Sequence, residues 1–87
     1  MYAIVTNVRV DNPDEARLIL PEAREACLSR APGIVSGYWL EPIAGIGTSV
    51  LVFETKELAE AATEYPLPDM PGVTRLDLTI REVFAHV

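Results

Sequence analysis

Residues 31–54 read Ala31-Pro-Gly-Ile-Val-Ser-Gly-Tyr-Trp-Leu-Glu-Pro-Ile-Ala-Gly-Ile-Gly-Thr-Ser-Val-Leu-Val-Phe-Glu54. The stretch opens on Pro32-Gly33, a helix stop, and continues in a β-rich run at 34–41. It turns through Pro42, Gly45 and Gly47 and returns in a second β-rich run at 48–54. Two such runs joined by a Gly-containing loop predict an antiparallel hairpin. With Glu41 set opposite Thr48, Trp39 faces Val50 and Gly37 faces Val52, while Tyr38 faces Leu51 and Ser36 faces Phe53. Both faces are then apolar, which predicts that both are covered.

The segments on either side of the hairpin mirror each other, strand then helix before it and helix then strand after it. Tyr2–Val10 alternates as a strand, and Asp11-Asn12-Pro13 ends it and opens a helix. Asp11 or Asn12 suits the N-cap, Pro13 the first helical position, and Asp14 and Glu15 the positive helix end. Over 14–30 the residues Ala16, Ile19, Leu20, Ala23 and Cys27 recur at the spacing of one helical face, with Pro21 predicted to kink the helix or split it in two. On the C-terminal side of the hairpin, Thr55 caps a short helix over 56–65 with Leu58, Ala61 and Ala62 inward. Pro66, Pro68 and Pro71-Gly72 form a turn-rich loop, and 73–87 reads as one long strand.

The order β-α-β-β-α-β predicts an α+β, ferredoxin-like fold: a four-stranded antiparallel sheet with both helices on one face. The covered face is assigned Ile4, Val8, Trp39, Val50, Val52, Leu76, Leu78 and Ile80. The other face is assigned Val5, Asn7, Arg9, Tyr38, Leu40, Leu51, Phe53, Arg75, Asp77 and Thr79.

Length and composition bound the function. The 87 residues make one domain, 1–87, and chains of this size bury only about 60–65% of their unfolded surface. Yet 49% of the residues are hydrophobic and the mean hydropathy is +0.20, more apolar surface than one thin core hides. A homodimer burying the second sheet face resolves this, with further pairing of dimers left open. The net charge of −6 argues against nucleic acid and anionic membrane surfaces. No apolar run approaches the roughly 20 residues needed to span a bilayer. The N-terminal residues lack a signal-peptide pattern, so a cytoplasmic location is expected. The single cysteine, Cys27, rules out an internal disulfide or a cysteine-based metal site.

The first strand Tyr-Ala-Ile-Val-Thr-Asn-Val-Arg-Val, the segment Ala-Pro-Gly-Ile-Val-Ser-Gly-Tyr-Trp-Leu and the segment Ser-Val-Leu-Val-Phe-Glu-Thr-Lys-Glu-Leu-Ala-Glu-Ala-Ala carry a family pattern. Together they resemble the dimeric α/β-barrel superfamily, and within it the antibiotic-biosynthesis-monooxygenase-like domains. The resemblance implies a homodimer whose sheets face each other, with a pocket between sheet and helices or at the barrel edge. Enzymatic relatives oxidise electron-rich aromatic substrates without metal or flavin, so no cofactor is expected. Haem-degrading relatives place an Asn on the first strand, a Trp in the pocket and an axial His on a helical segment. Asn7 fits the first role, but Trp39 lies on the second strand and His86, the only histidine, at the chain end.

Two functions fit. One is binding, and possible oxygenation, of a small apolar or aromatic molecule. In it Asn7 orients the substrate, His86 or Asp77 takes a proton, and Tyr38, Arg9, Leu51 and Phe53 line the site. The other is a non-catalytic module whose second face only builds the dimer. Each residue also has a structural alternative: Asn7 a bond to a neighbouring strand, Asp77 an edge ion pair, Arg9 solvation, His86 an exposed end.

Overall fold

In the computed structural model, which describes residues 1–64 and 72–87 and leaves aside the side chains of Cys27 and Arg30, the elements come in the expected order. They are β1 (Tyr2–Val10), α1 (Pro13–Arg30), β2 (Ile34–Trp39), β3 (Ile46–Phe53), α2 (Lys56–Thr63) and β4 (Val73–Glu82). The strands form one sheet in the order β2-β3-β1-β4, every neighbouring pair antiparallel. This is the ferredoxin-like α+β arrangement. The expected inward Cys27, and the turn-rich segment at Pro66, Pro68 and Pro71, lie outside the described residues.

Local chemistry sets the helix starts. Asn12 Oδ1 accepts from the backbone N–H of Asp14 at 3.1 Å and of Glu15 at 3.2 Å, capping α1, with Pro13 as its first residue. Thr55 does the same for α2: its backbone is extended and its Oγ1 accepts from Leu58 N at 3.2 Å. Pro21 sits inside α1 without splitting it into two helices. At the end of α1, Gly33 turns the chain with φ of 81°, the left-handed conformation glycine favours.

The core lies between the sheet and α2, closed by Ala31 just past the end of α1. Ile4, Ala31, Phe53 and Ala59 are buried together, with Leu51, Leu58, Ala62, Leu78 and Ile80 packed around them. Phe53 is fully enclosed. On α2 it is Ala59, rather than the expected Ala61, that is buried.

Leu51 and Phe53 therefore lie on the helix-covered face, not on the open face assigned to them from sequence. Val50 and Val52 take the open face instead. The cause is a shift of one residue in the hairpin. Its tip is a two-residue turn in which Ala44 and Gly45 have φ of 53° and 80°, closed by reciprocal bonds between Ile43 and Ile46. Carried along both strands, that pairing would set Trp39 opposite Val50, the register expected from sequence. But Leu40 N donates to Thr48 O at 2.8 Å, so the path through Glu41 and Pro42 holds one more residue than the β3 side. Pro42 has no N–H to give to a ladder. Beyond it the pairs are Trp39 with Ser49, Tyr38 with Val50 and Gly37 with Leu51. A one-residue slip exchanges the two faces of a strand.

The last strand is also shorter than expected. β4 stops at Glu82, opposite Tyr2, and Val83 N donates to Met1 O at 2.9 Å as the final tie. β1 itself begins at Tyr2, so the ladder ends there. Phe84, at 93% exposure, continues the alternation of the sequence with no strand beside it.

Candidate functional site

The stripe of α1 that faces the sheet is made of small residues. Ala16 and Ala23 are buried there, while Leu18 and Leu28 point outward. The sheet beneath is equally spare at Thr6, Gly47 and Ser49. Small side chains on both walls leave a cavity of about 1070 Å3 between α1 and the covered face. Leu20 and Ala23 line it from the helix, and Trp39, Leu51 and Leu78 from the sheet. Its volume lies at the upper limit of small-molecule sites, and its lining mixes apolar side chains with charged and polar ones.

Thr6 is the buried polar residue of the floor, 8% exposed at the centre of β1. The charged residues that line the cavity are Asp14, Arg17, Glu41, Glu64 and Arg75. They sit at the ends of their elements, around the side of the sheet where β1 finishes and β4 begins. One end of the cavity is thus charged and the other apolar. A smaller cavity of about 330 Å3 lies between α1 and β2, beside Arg24, Leu28 and Tyr38.

The residues singled out from sequence are divided between the two faces. Leu51 and Phe53 line the cavity, although by way of the face opposite to the one expected. Asn7, Asp77, Arg9 and Tyr38 belong to the open face. There Asn7 Nδ2 donates to Asp77 Oδ1 at 2.9 Å, and Thr48 Oγ1 donates to Asn7 Oδ1 at 2.7 Å. The amide of Asn7 is thus engaged through both its oxygen and its nitrogen, tying β3, β1 and β4 together across the sheet. Tyr38 is 57% exposed on the edge strand.

His86 is not brought to this group. It lies four residues past Glu82, where β4 ends, while Asp77 is in mid-strand. The five steps from Asp77 to Glu82 alone span about 16 Å at the usual rise of a strand. Among the described residues no three His, Cys, Asp or Glu side chains gather as metal ligands. Among them, too, no helix is long and apolar enough to cross a membrane.

Sequence reasoning missed Thr6, Arg75 and the alanines of α1 as site residues. The alanines were legible as an inward stripe, but a stripe of methyl groups fills a core in one packing and lines a cavity in another. Compared with family models, curated proteins and solved structures, the chain matches none of them.

Proposed function

We propose that the chain binds a small molecule with an apolar or aromatic body in the cavity between α1 and the sheet, as a homodimer joined through the open faces. The cavity carries this reading: about 1070 Å3, walled by small side chains, with an indole and a buried hydroxyl inside. A domain this small gives up packing to keep such a space, and contact density lost in a core costs stability. Occupation by a ligand offsets that loss. On the open face Val5, Val50 and Val52 are only half-buried and form an apolar centre beside the Thr48–Asn7–Asp77 group. A second copy covers that centre and leaves the polar group at its margin.

The ferredoxin-like protomer is compatible with the dimeric α/β-barrel superfamily and its monooxygenase-like members, which the sequence resembles. In its catalytic form the cavity hosts an electron-rich aromatic that supplies electrons to dioxygen. For a phenol, the ring C–H and the O–H give up their two hydrogens as the ring becomes a quinone: one atom of dioxygen forms the new C=O and the other leaves as water. The protein's part is to hold the ring against Trp39. A second reading, a binding or dimerisation module without catalysis, draws on Asn7, whose amide serves as a cross-strand tie.

Native mass spectrometry of freshly purified protein tests the proposal. We expect an ion at twice the 9.5 kDa protomer mass carrying additional small-molecule mass that organic extraction removes. A bare monomer, unchanged on adding 2-naphthol, counts against both the dimer and the ligand.

A further inference from the structure

β4 breaks its own alternation beside the cavity. Asp77 pairs with Asn7 and Arg75 with Val8, so two positions on β4 match one step on β1 and Leu76 is the extra residue of a bulge. An unbroken ladder would set Leu76 opposite Val8 on the covered face and Arg75 opposite Arg9 on the open face. The bulge reverses this. Leu76 is 45% exposed, and Arg75 lines the cavity with Val73 and Leu78. A leucine is surrendered to water and Arg75, itself still exposed, is placed at the charged rim of the cavity, which gains nothing for packing. Bulges re-aim side chains in this way next to functional sites, and local rules are broken there.

Arg17 of α1 lines the same cavity. Among the described residues the ion pairs are Arg24–Glu25 and Lys56–Glu60, so neither Arg17 nor Arg75 is joined to a carboxylate there. Among the described residues three carboxylates also line the cavity, and each belongs to the end of an element. Asp14 lies in the first turn of α1, where it complements the helix dipole, Glu64 is the C-cap residue of α2, and Glu41 comes just after β2. These carboxylates disfavour a multiply charged ligand such as a phosphate dianion. A single carboxylate matches the planar fork of one arginine.

We infer that the cavity takes a monocarboxylate with an apolar body, its carboxylate held by Arg75 at the charged end and its chain or ring running inward to Trp39 and Leu51. This deepens the small-molecule reading of the same cavity and rests on it.

Trp39 is the only tryptophan, so its fluorescence reports occupancy directly. Decanoate and decanol share an apolar chain and differ in charge. Titrated against the full chain, decanoate is expected to bind about tenfold more tightly than decanol, the worth of one charge-assisted pair at a partly solvated site. Arg75→Gln brings the ratio of the two affinities close to one. Lys56→Gln removes the same charge away from the cavity and keeps the wild-type ratio, so the effect is not one of net charge. Equal affinities in the wild type, or a preference that survives Arg75→Gln, overturn the carboxylate assignment while the cavity remains a ligand site. If neither probe perturbs Trp39, the small-molecule reading itself falls, and this inference with it.

Discussion

Phe53→Ala is expected to lower the stability of the domain by about 3–5 kcal/mol, measured by urea denaturation of the purified protein. Phe53 is the large side chain with no exposure at all, at the meeting point of Ile4, Ala31 and Ala59. Among its buried neighbours Ala31 and Ala59 have little side chain with which to close the space. Domains of this size hold only about 0.05–0.15 kcal/mol per residue, so a loss of that size removes a large share of the total. The same substitution separates the two possible registers of β3. With Phe53 on the open face, as the hydrophobic pattern suggested, truncation would leave the helix–sheet core untouched. A loss below about 1 kcal/mol, the ordinary scale of a substitution outside a core, would restore that register.

The second large effect concerns assembly. Val50→Arg is expected to convert the proposed dimer to monomers, with its dissociation constant raised about a hundredfold or more. Val50 is half-buried on the open face beside Tyr38 and Val5 and takes no part in the core beneath the helices. An arginine there stays solvated in the free protomer. In a two-fold interface it meets its own symmetry mate's apolar face twice, and a buried unpaired charge costs roughly 3–5 kcal/mol. Sedimentation velocity separates the two states, and far-UV circular dichroism checks that the protomer remains folded. A variant that stays dimeric would place the interface elsewhere.

The order of elements was legible because each boundary has a local chemical cause. Asn12 before Pro13, Thr55 before Lys56 and Gly33 after α1 act within a few residues of themselves. Face assignment on β3 was not legible. Val50 and Val52 alternate with Leu51 and Phe53, so both faces read as apolar and the pattern could not choose between registers. The choice was made by one extra residue near Pro42, at the far end of the hairpin. The end of β4 was over-read for a related reason. Its alternation persists to Phe84, but a strand lasts only while a neighbour is there to pair, and β1 runs out at Tyr2.

The site was legible only in fragments. Asn7 and Asp77 were recognised as neighbours on one face, and they are hydrogen-bonded there, but as a tie across three strands. Arg75 was assigned to the wrong face because a bulge has no marker in this sequence. Neither glycine nor proline stands at Leu76 or beside it. The cavity depends on how closely α1 approaches the sheet. Alanine spacing fixes which side of the helix faces inward, not the distance at which it settles.

The most direct test of ligand binding beneath α1 asks which face of the sheet receives a ligand. Valine, leucine and threonine methyl groups report this by NMR, because alternate residues of one strand send their methyls to opposite faces. On titration with 2-naphthol, a neutral aromatic, the predicted shifts are at the methyls of Thr6, Val8, Leu51 and Leu78, with Val5, Val50 and Val52 left unmoved. Shifts confined to Val5, Val50 and Val52, or no shifts at all, would contradict a ligand site between α1 and the sheet.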